Sequence, residues 1–316
     1  MIPDFWLDRP YYSLDAYCKK HFQGKVYKIA LDAGLTCPNR DGTLDSRGCI
    51  FCSSGGSGDF AVKPRDSVSL QLREGRAMFG KKKIGNLFIA YFQAYTNTYG
   101  KIEYLEQIYE EALKQPDIVG ISIATRPDCL PLPVLSLLTT LKEKYPEKEI
   151  WVELGLQTIH DSTAKYIRRG YPLSVFDDAV EQLSQRGFPI VVHVILGLPH
   201  ETREMMFQTI SYLNSLPIFG IKLQLLHVLK DTDLAIDYLS NGFHVLEQEE
   251  YMDLLIQCLK KLSPEIVVHR LTGDGPKDLL IAPAWSLQKR NFFNSFHNRL
   301  RKSGEYQGQD YRKSLS

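Results

Sequence analysis

The chain lacks any long apolar run. No stretch of its 316 residues reaches the roughly 18 continuous apolar residues of a membrane span, and the N-terminus, "MIPDFWLDRPYYSLDAYCKKHF", has no apolar signal-peptide core. A membrane or secreted protein is therefore not expected, and the reading places the chain in the cytoplasm. Charge excess is missing too: 38 Lys and Arg against 37 Asp and Glu leave a formal net charge of +1, which argues neither for nor against a polyanionic partner. Cysteine is scarce, at 6 residues, and a reducing compartment disfavours structural disulfides. Low-complexity linkers and sequence repeats are also absent. What remains is an ordinary globular composition with enough length to bury a sizeable core.

Short β-rich runs alternate with helical patterns. The runs are "KVYKIAL" (25–31), "NLFIAYF" (86–92), "IVGISIA" (118–124), "EIWVELG" (149–155), "PIVVHVILG" (189–197) and "GIKLQLLHV" (220–228). Between and after them lie "IEYLEQIYEEALKQ", "LPVLSLLTTLKEKY", "LSVFDDAVEQLSQRG", "TREMMFQTISYLNSL" and "EQEEYMDLLIQCLKKL", whose apolar residues recur at helical spacing. Near-continuous apolar strands separated by amphipathic helices predict a parallel sheet covered by helices. Periodicity leaves an open doubly wound sheet and a partial barrel both available. Either one places its chemistry at the C-terminal ends of the strands.

Half of the cysteines crowd into one polar loop after the first run, "GLTCPNRDGTLDSRGCIFCSSGG". Cys49 and Cys52 have the gap that lets two thiolates reach one metal or cluster, and the turn-forming residues before them can bring Cys37 alongside. A structural zinc needs a fourth ligand, which would have to be Cys18, Cys129 or a histidine. A redox dithiol leaves Cys37 unexplained. An iron–sulfur cubane held by three thiolates keeps one iron open, which suits catalysis. Spacing leaves these alternatives standing. Cys18, Cys129 and Cys258 read as structural, Cys258 as a core residue of a helix. His193 reads as a hydrogen-bonded core histidine. "GGSG" (55–58) looks like a phosphate cradle but lacks the following Lys–Ser/Thr pair.

The three-cysteine loop followed by βα units resembles the radical S-adenosylmethionine (SAM) superfamily. Its first gap of eleven residues, then two, resembles the branch related to the Elongator catalytic subunit, and more closely bacterial YtqA/YhcC-type proteins. Phe51 stands where the superfamily has an aromatic beside the adenine. Other strand ends agree in order: "YFQAYTNTY" (91–99), "SIATRPDCL" (122–130), "VELGLQT" (152–158), "YIRRGY" (166–171) and "HVILGLPHET" (193–202).

The resemblance implies an α/β fold, a partial (β/α)6 TIM-type barrel over residues 25–262. An N-terminal extension (1–24) and a basic, aromatic C-terminal extension (263–316) would flank it. It implies a 4Fe-4S cluster on Cys37, Cys49 and Cys52, with S-adenosylmethionine filling the open iron. Cofactor contacts would come from Gln93, Thr96 and Thr98, from Glu153 and Gln157, and from Arg168 or Arg169. Reductive cleavage would yield a 5′-deoxyadenosyl radical, driven by a reductant such as flavodoxin or ferredoxin.

Enzymes of the Elongator-related branch act on wobble uridines of tRNA. YtqA-type proteins are associated with converting 5-carboxymethylaminomethyl-(2-thio)uridine to the 5-aminomethyl form, ahead of a methyltransferase that gives 5-methylaminomethyl. No acetyltransferase segment is recognisable after Leu262, so the acetyl-dependent Elongator reaction is not expected. "WSLQKRNFFNSFHNRLRKSGEYQGQDYRK" mixes cations with aromatics, and "KPR" (63–65) and "KKK" (81–83) add local positive charge. Such patches contact phosphates and stack bases, or equally form an amphipathic helix packed on the barrel. A radical enzyme with a small-molecule substrate and a zinc-stabilised RNA-binding protein are the alternatives.

Overall fold

The computed structural model describes residues 3–56, 58–59, 61, 67–79 and 86–312. The basic segments 63–65 and 81–83, and Ser57 of the "GGSG" stretch, lie outside the described residues.

The strands are β1 (Val26–Leu31), β2 (Leu87–Phe92), β3 (Ile118–Thr125), β4 (Glu149–Gln157), β5 (Ile190–Leu196), β6 (Gly220–Leu225), β7 (Val228–Leu229), β8 (Val267–Arg270) and β9 (Leu280–Ala282). Seven of them form one parallel sheet in the order β1-β2-β3-β4-β5-β6-β8, while β7 and β9 pair separately and antiparallel. The helices are α1 (Leu14–His21), α2 (Val68–Met78), α3 (Ile102–Leu113), α4 (Leu132–Lys144), α5 (Asp161–Tyr166), α6 (Leu173–Gln185), α7 (Arg203–Leu213), α8 (Asp233–Asn241), α9 (Gln248–Lys261) and α10 (Lys289–Ser303). No helix among the described residues is long and apolar enough to cross a membrane.

Strand order decides between the two architectures left open by periodicity. A doubly wound sheet reverses its order at a switch point, so its helices cover both faces. Here the order never reverses. Right-handed crossovers then put the helices that link consecutive strands on one face, and the sheet curls round its other face as a partial TIM barrel. The six expected runs became β1 to β6. Beyond the expected boundary at 262 the sheet gains a further strand, β8, whose Val267 and Val268 register against Gly220 and Ile221 of β6. Four residues are too few to leave a readable period.

Alternation along the strands separates two environments. Leu31, Phe92, Ile123, Leu154, Val194 and Leu223 belong to the apolar core under the helices. On the inner face Lys28, Tyr91, Ser122, Glu153, His193 and Lys222 are joined by hydrogen bonds. One layer lower, Ile89 and Trp151 pack with Cys18 of α1, so the N-terminal helix plugs the floor. Ser13 caps α1 and bridges to Val268, tying this plug to the edge strand.

The C-terminal aromatics mainly serve packing. Phe292, Phe296 and Leu300 of α10 are buried, and the Phe292 ring lies 5.2 Å from Trp285 and 5.7 Å from Tyr251 of α9. Arg290, Arg301 and Lys302 remain exposed on the outer face.

Candidate active site

A cavity of about 270 Å³ opens where the strands end, at the rim that parallel α/β folds use for chemistry. Its lining brings together Cys37, Cys49, Cys52, Phe51, Gln93, Thr96, Glu153, Gln157 and Arg169. Residues far apart in sequence thus share one chamber.

The cysteine loop is wound tightly by its own backbone. The Cys37 carbonyl accepts from the Arg40 and Asp41 amides at 2.7 and 3.1 Å, and the Gly48 amide donates to Asn39 at 2.7 Å. The Cys52 amide closes the short turn on Cys49 at 3.0 Å. Arg40 stitches the loop together through the Cys52 carbonyl (2.9 Å) and the Ser53 carbonyl. The next layer anchors it: the Ile50 amide donates to Ile167, and the Leu234 amide of α8 donates to Ile50.

The surroundings favour thiolate. The Cys49 thiol is pulled down to about 7, first by its hydrogen bond with Cys52, then by the Asn39 amide and by the charges of Arg126 and Arg40, against the opposing effect of burial. Cys52 is pushed the other way by the same bond and by burial, so the pair shares a proton. Cys18, Cys129 and Cys258 are pushed up to about 12 by burial, and none of them lines the cavity. Among the described residues no three His, Cys, Asp or Glu side chains gather closely enough to hold one metal ion. The three loop cysteines all line the cavity, and three thiolates are a donor set that can hold a thiolate-ligated cluster.

Arg169 supplies a second test of fit. Its side chain is buried, with Nη1 donating to Leu156 and Thr158 at 3.1 and 2.6 Å and Nε to Tyr171 at 3.1 Å. Its Nη2 is buried without a partner among the described residues. An orphaned guanidinium nitrogen at the wall of a cavity suits a carboxylate. Arg168, its neighbour, leaves the lining and pairs with Asp233 at 2.5 Å. The turn explains the split: Arg168 and Gly170 take φ of 54° and 85°. A Cβ at Gly170 would lie 2.9 Å from Asn39 Oδ1 and 3.1 Å from Arg126 Nη2, so only glycine lets the turn press against the loop.

Thr98 also departs from expectation. It lies outside the cavity lining, and its hydroxyl bonds Thr125 and the Cys129 carbonyl in the buried layer behind. Two further rim residues, Tyr95 and Gln157, hold φ of 60° and 62°, a left-handed conformation that costs a non-glycine residue about 1 kcal/mol or more. Such strain concentrates where a side chain must be aimed. Gln157 sits at a register shift of β4 against β5, which turns it inward.

Glu153 is expected as a cofactor contact, but its oxygens are already taken. Lys28 donates at 2.7 Å, Ser122 at 2.5 Å, His193 Nε2 at 2.6 Å, and Lys222 completes the set. Burial alone would raise this carboxyl, but Lys222 and Lys28 outweigh it and hold it well below the usual range. His193 is hydrogen-bonded, as its sequence context suggests, yet it also lines the cavity. Sequence reasoning passed over Arg40, Asn39, Gln224, His227 and Arg270. Gln224 and His227 lie in the run 220–228, and Asn39 and Arg40 in the cysteine loop, so their positions could have signalled them; Arg270, on the short β8, carried no such signal.

Burial, and for His193 the Lys222 charge, push the imidazoles of His193 and His227 down from 6.5 to about 4. The unfolded chain therefore takes up these protons first as pH falls. Their contribution to stability is complete above 6.5 and is lost toward about 4. At about pH 5 each histidine should cost about 2 kcal/mol. Urea midpoints near pH 7 and about pH 5 measure this loss, and coincident midpoints would refute it.

The chain is similar to several known proteins. Residues 46–213 match the profile of the Radical SAM superfamily and residues 218–302 that of the Radical_SAM C-terminal domain. The chain is 41% identical over 306 residues to the uncharacterized protein YtqA of Bacillus subtilis (strain 168), covering 97% of this chain and 94% of that one. It is 35% identical over 266 residues to the protein YhcC of Escherichia coli (strain K12), covering 84% of each. Among solved structures, the archaeal Methanocaldococcus infernus Elp3 with an N-terminal deletion superposes with a TM-score of 0.67 at 16% identity. That match covers 89% of this chain and 64% of the other, and at such identity it speaks for the fold alone.

Proposed function

The chain belongs to the radical SAM superfamily, and from that premise we propose that it modifies tRNA, acting on the 5-substituent of a wobble uridine. Enzymes of this superfamily use a 4Fe-4S cluster and S-adenosylmethionine. The observation that carries the reading is the shared cavity, with three thiols on one wall and the unpartnered Arg169 Nη2 beside them. Cys37, Cys49 and Cys52 would hold the cluster, Arg169 the carboxylate of the cofactor, and Gln93, Thr96 and Gln157 its remaining polar groups. When bound, these groups supply one electron and a carbon-centred radical that takes a hydrogen atom from an unactivated C–H bond.

The protein's own task is to position and to exclude. The barrel wall would keep water and bystander C–H bonds away while the extruded base enters from the strand ends. The specific conversion we propose is 5-carboxymethylaminomethyl-(2-thio)uridine to its 5-aminomethyl form. The carbon between nitrogen and carboxylate would lose a hydrogen atom and one further electron, water would add to the resulting C=N bond, and the two carbons would leave as glyoxylate, with S-adenosylmethionine as the net two-electron oxidant. A methyltransferase would then consume the amine. Support comes from the cluster-loop spacing shared with the Elongator-related branch. The exposed Arg290, Arg301 and Lys302 of α10 offer phosphate contacts. We take the barrel of residues 25–262, extended by β8, as the catalytic unit between the two terminal extensions. It would work in the cytoplasm with a flavodoxin or ferredoxin as reductant.

Depleting the protein in cells and analysing tRNA nucleosides by mass spectrometry tests this reading. The 5-carboxymethylaminomethyl nucleoside should accumulate at the expense of the methylaminomethyl one. An unchanged ratio would overturn the tRNA assignment.

A further inference from the structure

One part of the cavity lining is used neither by the thiols nor by Arg169. It is built by Gln224 at the end of β6, by His227, by Arg270 at the end of β8, and by the turn through Gly273 and Asp274. Lys28 and Lys222 both donate to Glu153, which occupies that carboxylate, while burial pushes the Lys222 ammonium well below its ordinary range, helped by the charges of Lys28 and Arg270. Arg270 stands next to Lys222 in the sheet register. Its carboxylate neighbour, Asp274, is 3.9 Å away and is already held by Lys289 at 2.6 Å. Arg270 thus lines the cavity with most of its donor capacity uncommitted among the described residues.

In the same lining, His227 Nε2 is buried without a partner among the described residues. The absence of side chains at Gly273 and Gly275 makes room for this ring: a Cβ on either would come within 3.2 Å of the imidazole. Gln224 is oriented by donating to His193 Nδ1 at 3.3 Å. A planar guanidinium fork with free donors and an unpartnered imidazole nitrogen in the same lining make a receptor for a planar anion. A neutral group placed there would leave the fork desolvated and unpaired.

We propose that Arg270, with His227 beside it, seats a carboxylate carried by the reacting arm of the substrate, so that an anionic arm is the specificity determinant of this cavity. The proposal deepens the wobble-uridine reading and rests on it for the identity of the substrate. The carboxylate would sit on Arg270, with the rest of the arm in the cavity that the thiols also line.

Two measurements test it. The first uses the reconstituted holoenzyme and two anticodon stem-loop RNAs, one bearing the arm as the carboxylate and one as its primary amide. The wild-type kcat/KM should favour the carboxylate RNA by roughly 30-fold, the discrimination expected of one charge-assisted pair. Arg270→Gln should erase that ratio, and Arg270→Lys should retain part of it. An Arg270→Gln enzyme that keeps the ratio, or loses activity equally on both RNAs, overturns the proposal in favour of a structural role.

The second measurement needs no RNA reaction. Phenylglyoxal modification of Arg270, read by peptide mass spectrometry, should be slowed by N-methylglycine and not by its methylamide. Equal rates with both ligands overturn the subsite. A holoenzyme that cleaves S-adenosylmethionine but alters neither RNA would count against the uridine reading, and the protection experiment then decides the carboxylate subsite alone.

Discussion

Replacing Cys37 alone with serine is expected to empty the protein of its cluster. Anaerobic reconstitution should fall from about four irons per chain to below about one. Reductive cleavage of S-adenosylmethionine should drop by at least roughly 100-fold, because the chemistry is the cofactor's. The substitution is conservative for the loop, since serine keeps the backbone bonds from Arg40 and Asp41 that hold residue 37 in its turn. Cys49 and Cys52 would remain as a close pair with no third thiolate on the wall. Neither Cys129 nor Cys258 can substitute, since neither lines the cavity and burial pushes both thiols up to about 12. Cys129→Ser is the matching control and should retain its iron. If Cys37→Ser keeps a full, active cluster, the ligand assignment fails.

The second large effect is expected at Glu153. Glu153→Gln removes the one carboxylate that faces Lys28, Lys222 and His193 inside the barrel. It leaves two lysine ammonium groups buried or partly buried without a counter-charge. Breaking a buried ion pair from one side costs about 3–5 kcal/mol, which in a chain of this size lowers Tm by roughly 5–8 °C. The pH dependence gives a signature that simple packing loss lacks. The folded carboxyl is held well below its ordinary 4.5, so its stabilising contribution is present above that value and fades as pH falls through the lower folded one. The gap between wild type and Glu153→Gln should therefore be full at neutral pH and close only in strong acid. A variant as stable as wild type at neutral pH would mean that the lysines give up their protons instead.

Much of this molecule was readable in one dimension because the signals are local. Strand runs such as "NLFIAYF" and "PIVVHVILG" carry their own period and ended within a residue or two of β2 and β5. The helix after "YPL" stops next to Gly187, whose φ of 67° is the left-handed cap that its identity suggests. The loop thiols were legible for the same reason: Cys49 and Cys52 are two residues apart, and the segment before them is made of turn formers.

Other features fell outside that reach. Helix α2 was passed over in the sequence, and β8 is too short to show a period. Glu153 illustrates the limit for the site. Its place at a strand end marks it as inward-facing, yet nothing nearby in sequence shows that Lys28 and Lys222, on strands three and two places away, converge on it.

The sequence by itself determined the βα rhythm, the three-thiol loop and the branch it resembles, because periodicity and spacing are properties of neighbouring residues. Only the tertiary structure decided that the sheet curls as a partial barrel and that Arg169 rather than Arg168 meets the cavity. It likewise decided that Thr98 is spent behind the wall and that Arg270 lines the cavity with most of its donors uncommitted among the described residues. Each of these depends on which way a backbone turns at a few left-handed positions and on which distant strands lie side by side. Those choices are made by the packing of the whole sheet and leave no period to read.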